Sequence, residues 1–161
     1  MDRLGFVKLN LKRTRTPDKF TEQDLGPLID FIKSNVKVVD LNLSNHDLGK
    51  REMQCLLRSL HGLLQLERIN LKGNKMPAAP RSLWINLLKK PDLVELRITL
   101  EKSITSEEQF QMFLSDMKEA AQGRIKTLKL ELSSDSVDKE FLVPVQNMRI
   151  ATGTVRISVA P

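Results

Sequence analysis

The chain has 161 residues, 40% of them hydrophobic and 29% charged, with 7 Gly and 7 Pro. This is ordinary globular composition for about one domain, and it excludes collagenous or low-complexity character. Apolar runs are only a few residues long, as at Leu63-Leu64 and Phe141-Leu142-Val143, so no membrane insertion is expected, while the formal net charge of +6 favours acidic proteins, nucleic acid or anionic surfaces as partners.

In chain order, the first strand pattern is Phe6-Val-Lys-Leu9-Asn-Leu11, written apolar-x-x-apolar-x-apolar. Helical spacing follows at Leu25, Leu28, Ile29 and Ile32, with Thr21 able to cap before Glu22. The strand grammar returns in Val38-Val-Asp-Leu41-Asn-Leu43-Ser-Asn45-His46-Asp-Leu48, and a second helix is predicted through Met53, Leu56, Leu57 and Leu60. Leu66-Glu-Arg-Ile69-Asn-Leu71-Lys-Gly-Asn74-Lys-Met76 repeats it again, before a helix around Leu83, Trp84, Leu87 and Leu88 that Pro91 closes. Leu93-Val-Glu-Leu96-Arg-Ile98 is the fourth strand. A helix opened by the capping box Thr105-x-x-Glu108 and stopped at Gly123 comes next. Ile125-Lys-Thr-Leu128-Lys-Leu130 and Thr152-Gly-Thr-Val155-Arg-Ile157 are the last two strand cores, separated by a short stretch holding Pro144.

These cores start at positions 6, 38, 66, 93, 125 and 152, intervals of about 27 to 32 residues, close to the 20 to 29 of strand-and-helix repeats. A single small unit cannot cover its own apolar face, so stacking is expected to place Leu41, Ile69, Leu96 and Leu128 in one ladder, beside Leu43, Leu71, Ile98 and Leu130. Parallel strands pack closer than helices do, so strands belong on the inside of the curve. A doubly wound sheet covered on both faces would want continuous apolar strands; here apolar residues alternate with Asn, Lys, Arg and Asp, which requires one wet face.

On the segments Val38 to Leu48 and Leu66 to Met76, the chain resembles the leucine-rich-repeat family, in its ribonuclease-inhibitor-like class. The family's turn asparagine corresponds to Asn74; the matching place one unit earlier holds His46 with Asn45 beside it, and the fourth unit holds Glu101 there. The fold expected is therefore α/β, a leucine-rich-repeat solenoid arc of about six strand-helix units with a parallel sheet on its concave face, forming one domain over residues 1–161. For such a fold the resemblance implies a non-catalytic module that binds a protein.

Chemistry-bearing motifs are few. The two histidines, His46 and His61, form no His-x-x-x-His or Cys/His cluster, so no metal site is expected, and His61 is expected at a helix end. Cys55, beside Leu56 and Leu57 in mid-helix, reads as a packed thiol. Gly49-Lys50 is no phosphate loop, because Ser44 stands at the first glycine position and Arg51 replaces the hydroxyl residue. Trp84 reads as a packing residue, and Ser133-Ser134-Asp135-Ser136-Val137-Asp138 as a turn with a helix cap. No catalytic residue, no cofactor and no enzymatic activity are expected.

The outward strand positions are the informative surface. Their central column is expected to read Asn10, Asn42, Asn70, Arg97, Lys129 and Arg156, flanked by Lys8, Asp40, Arg68, Glu95, Thr127 and Thr154 and by Lys12, Ser44, Lys72, Thr99, Glu131 and Ser158. Cations outnumber anions in this set, which predicts a modestly basic groove for an acidic protein partner. The residues expected to bind it are Lys8, Asn10, Lys12, Asn42, Arg68, Asn70, Lys72, Arg97, Lys129 and Arg156. A nucleic-acid partner is the alternative, on the charge and the run Lys8 to Arg15, although aromatics total only 4%. A GTPase-activating or other regulatory role is a further alternative, offered by Asn74 or Arg13. Open repeat ends would permit self-association. With no basic-then-apolar leader after Met1 and a lone cysteine, an intracellular location, cytoplasmic or nuclear, is expected.

Overall fold

The computed structural model describes residues 7–11, 22–34, 37–74, 81–99, 112, 115, 116, 119, 128–133 and 155–160. The elements run β1 (Val7–Asn10), α1 (Glu22–Ser34), β2 (Val38–Asn42), α2 (Lys50–Leu60), β3 (Arg68–Asn70), α3 (Arg81–Leu88), β4 (Glu95–Thr99), β5 (Leu128–Ser133) and β6 (Val155–Ala160). The six strands form one sheet in sequence order, every neighbouring pair parallel, with β1 and β6 at its two ends.

Each helix is amphipathic by the three-and-four spacing of its apolar residues. In α1, Leu25, Leu28 and Ile32 are buried while Gln23, Asp24, Asp30 and Lys33 face water. Pro27 lies inside this helix and is exposed, so its missing N–H removes one ladder bond on the wet side. The Ser34 hydroxyl closes the last turn by donating to the carbonyls of Asp30 and Phe31, at 2.7 and 3.1 Å. In α2, Met53, Leu56, Leu57 and Leu60 turn inward, and Lys50, Arg51 and Arg58 turn outward. His61 caps its C-terminus. In α3, Leu87 and Leu88 are buried, and Leu83 and Trp84 pack half-buried against the same core.

The strands supply the other half of that core. Leu41, Leu43, Ile69, Leu71, Leu96 and Ile98 are buried in one cluster with the helix residues, whereas the alternate positions Asp40, Asn42, Arg68, Asn70, Glu95 and Arg97 keep solvent contact. The helices therefore cover one face of β2, β3 and β4, and the other face is wet. At roughly 1.5–3 kcal/mol for each fully buried aliphatic side chain, this shared layer dominates the stability of the described residues.

Repetition is strict only from β2 to β4. Across these three strands Asp40, Arg68 and Glu95 are register partners, as are Leu41, Ile69 and Leu96, and Asn42, Asn70 and Arg97. The register slips between Val7 and Lys8 on β1. It also changes at β5, where Leu96 lies opposite Leu130 and not Leu128. The expected arc of about six strand-helix units is thus corrected: the described residues hold three strand-helix units, β1-α1, β2-α2 and β3-α3, backing an open parallel sheet. The physical reason is that a regular solenoid copies one pairing from unit to unit, and a two-residue shift after β4 ends that copying. Between β4 and β5 the described residues are Met112, Ser115, Asp116 and Glu119, each helical; Glu101, Thr105, Glu108, Gly123 and Pro144 lie outside the described residues.

The turns after β2 and β3 explain how adjacent units lock. Asn74 is buried, donating from Nδ2 to the carbonyls of Leu43 (2.7 Å) and Leu71 (2.9 Å), while its Oδ1 accepts from the Leu48 N–H at 3.1 Å. One unit earlier, His46 is also buried and its Nε2 donates to the Leu11 carbonyl. Leu11 and Leu43 are the residues just past β1 and β2, so the two side chains do the same job by different chemistry. The residues preceding them, Asn45 and Gly73, both adopt positive φ, 64° and 72°.

Candidate functional site: the wet face of the sheet

The residues expected to bind a partner fall as follows. Lys8 and Asn10 are exposed on β1, Arg68 is exposed on β3, and Asn42, Asn70, Lys72 and Arg97 are half-buried. Lys129 and Arg156 belong to β5 and β6. Lys12, like Arg13, lies outside the described residues.

The register rearranges the columns. Glu95 lies opposite Lys129, and Arg97 opposite Glu131, where Arg97 beside Lys129 had been expected. Arg156 then pairs with Lys129, and Ser158 with Glu131. One row across the sheet therefore reads Lys8, Asp40, Arg68, Glu95, Lys129, Arg156, and the next reads Asn10, Asn42, Asn70, Arg97, Glu131, Ser158. The expected run of three amides followed by three cations does not form. Charges alternate along most of the first row, and the second carries three amides, one cation and one anion.

Contacts within the face agree with that alternation. Nε and Nη2 of Arg97 both donate to one oxygen of Glu95, at 2.9 and 2.8 Å. This is a same-face pair two residues apart on one strand. Arg68 stands 3.9 Å from both Asp40 and Glu95. Exposed pairs of this kind contribute only about 0–1 kcal/mol each, but they cancel much of the local field. The Asp40 and Glu95 carboxylates were the part of the site that column-by-column charge counting undervalued, although their alternation with Lys8 and Arg68 was visible in the sequence.

The asparagines are pinned. The Asn42 Oδ1 accepts from the Ser44 N–H at 3.2 Å and the Ser44 hydroxyl at 2.9 Å, and the Asn70 Oδ1 accepts from the Lys72 N–H at 3.2 Å. Each amide oxygen thus holds the turn that ends its strand.

Other residues of interest lie elsewhere. Asn74, offered for a regulatory role on a nucleotide, is buried and committed to backbone groups. Cys55 is exposed on α2, not packed, because Leu56 and Leu57 take the inward positions of that turn. Lys90, which carried no sequence signal, is buried after α3 and its ammonium donates to the carbonyls of His61 (3.0 Å) and Leu63 (2.9 Å) at the end of α2. Burial pushes its pKa below the ordinary lysine value. Among the described residues no group of three His, Cys, Asp or Glu is placed to hold a metal ion, and no helix is long and apolar enough to cross a membrane. No protein-family model matches this sequence, and no curated protein matches it significantly.

Proposed function

We propose that this chain is a non-catalytic binding module whose wet sheet face takes up a protein partner of acidic surface character. The observation that carries the reading is the continuous row of polar side chains held in register across parallel neighbours, with the opposite face of β2 to β4 closed by helices. A rigid sheet presents such side chains without the entropy cost that a loop would add. The resemblance of residues 38–76 to leucine-rich repeats belongs to the same reading, supported by the turn-bridging contacts of Asn74 and His46.

Alternation of sign favours a protein over a nucleic acid. A phosphate backbone presents negative charge at every step, and along the first row it would meet Asp40 and Glu95 between the cations. A folded protein or peptide can match a mixed pattern, gaining specificity and on-rate from complementary charges.

The test is affinity capture from the native cell with the wild-type chain, with Arg68→Gln/Lys72→Glu on the sheet face, and with Arg51→Glu/Arg58→Glu on the exposed side of α2. A partner retained by the helix-face variant and lost by the sheet-face variant is the expected outcome. Identical partner sets for all three chains would overturn the reading.

A further inference from the structure

Asn70 occupies the centre of the described part of the wet face. Asn42 and Arg97 are its register partners on either side, and Arg68 and Lys72 stand two residues before and after it. The N–H groups of Ser44 and Lys72 can only donate, so the oxygens of Asn42 and Asn70 face them and the amide nitrogens are turned the other way. Among the described residues neither Nδ2 has an acceptor. Two half-buried amide donors thus lie at register positions on adjacent strands, whose backbones run about 4.8 Å apart, with each amide's orientation fixed by its own turn.

Charge around the pair is mixed, three cations against two carboxylates, a small positive excess. Arg68, Lys72 and Arg97 surround Asn70, and the nearest carboxylates, Asp40 and Glu95, are engaged by Arg68 and Arg97. From this juxtaposition we propose that Asn42 and Asn70 form a carboxylate-recognition point, which takes an Asp or Glu side chain of an acidic peptide segment. Resting on the sheet-face reading above, the assignment names the chemistry of the contact. A carboxylate offers two oxygens to two preset donors, and the small excess of cations over carboxylates around the pair adds to the attraction.

The experiment titrates the full isotope-labelled chain with a blocked peptide of alternating Glu and Ser, with its Gln-for-Glu counterpart, and with oligouridine, following the side-chain amide resonances of Asn42 and Asn70. The Glu peptide shifts both resonances, and the Gln peptide binds at least about tenfold more weakly. Asn70→Asp keeps an oxygen for the Lys72 N–H but replaces the donor with a repelling acceptor, so it loses about tenfold or more in affinity with unchanged circular dichroism. Asn70→Ser serves as the second variant and loses affinity in the same direction. Equal binding of the Glu and Gln peptides, wild-type affinity in Asn70→Asp, stronger shifts of the same amides by oligouridine, or no shift with any probe overturns the proposal. Capture of the native partner that survives Asn70→Asp but not Arg68→Gln/Lys72→Glu would remove this site and leave the sheet-face function standing.

Discussion

Asn74 shows how much a single side chain can decide. Its amide satisfies one N–H and one carbonyl of the turn after β2 and one carbonyl just past β3, and a buried group left unsatisfied costs about 1–3 kcal/mol. Asn74→Ala is therefore expected to lower unfolding free energy by about 2–4 kcal/mol in a urea titration, and a loss under about 0.5 kcal/mol would contradict the assignment. Gly73 is the neighbouring constraint. With φ at 72°, and with a Cβ there falling 2.4 Å from the Asn45 Oδ1 and 3.1 Å from the Asn45 Cα, Gly73→Ala should destabilise by about 1–2 kcal/mol by the same measurement. Asn45 tolerates the same region without being glycine, as Asn often does. The Asn74 role was expected only as what the resemblance of Leu66 to Met76 to the repeat family implies. The His46 bond to Leu11 was legible only as a position, because a ring nitrogen reaching a carbonyl on another strand depends on how the two strands lie.

At the scale of elements, the helices are joined to one another as well as to the sheet. Lys90 follows α3 and holds the carbonyls of His61 and Leu63 just past the C-terminus of α2, a cation beside the negative end of a neighbouring helix. Lys90→Met removes both bonds and is expected to cost about 1–2 kcal/mol at neutral pH, less than two full hydrogen bonds because the desolvation of the ammonium disappears with it. Its pH dependence has a definite sign. The folded-state pKa is lowered from 10.5, so between that lowered value and 10.5 the unfolded chain binds more protons, and stability rises with pH through this window. The stability difference between wild type and Lys90→Met should accordingly be larger near pH 10 than at pH 7; a difference that shrinks with rising pH would show that burial does not govern this group. Core packing is tested by Leu56→Ala in α2, fully buried in the shared cluster, which should cost about 2–5 kcal/mol in the same titration. Sequence periodicity found these inward residues, whereas Cys55 was expected inside from its place beside Leu56 and Leu57 and is exposed. Being next to two leucines does not bury a residue when the helix turns by about 100° at each step.

For the whole molecule, the sheet has two ends and a middle of unequal support. β2, β3 and β4 share one register and are backed by α1, α2 and α3, whereas β1 pairs on one side only and its register slips at Val7. Amide hydrogen exchange should therefore be slowest at Leu41, Ile69 and Leu96 and faster at Lys8 and Asn10, and equal protection of the two groups would argue against this order of support.

What the residues alone determined is the alternation: which strand positions are apolar and which helix faces are inward. Those follow from local geometry, a period of two along a strand and 3.6 along a helix, and each can be read within a few residues. Register between strands is not local. Leu128 and Leu130 carry the same apolar-x-apolar signal, so either could face Leu96, and only the packed sheet selects Leu130. That choice makes Glu131 the register partner of Arg97 and Lys129 that of Glu95, so the expected column of cations becomes rows of mixed residue types. The character of the wet face was thus decided by tertiary pairing, because a two-residue slip keeps every side chain on its own face while changing all of its neighbours.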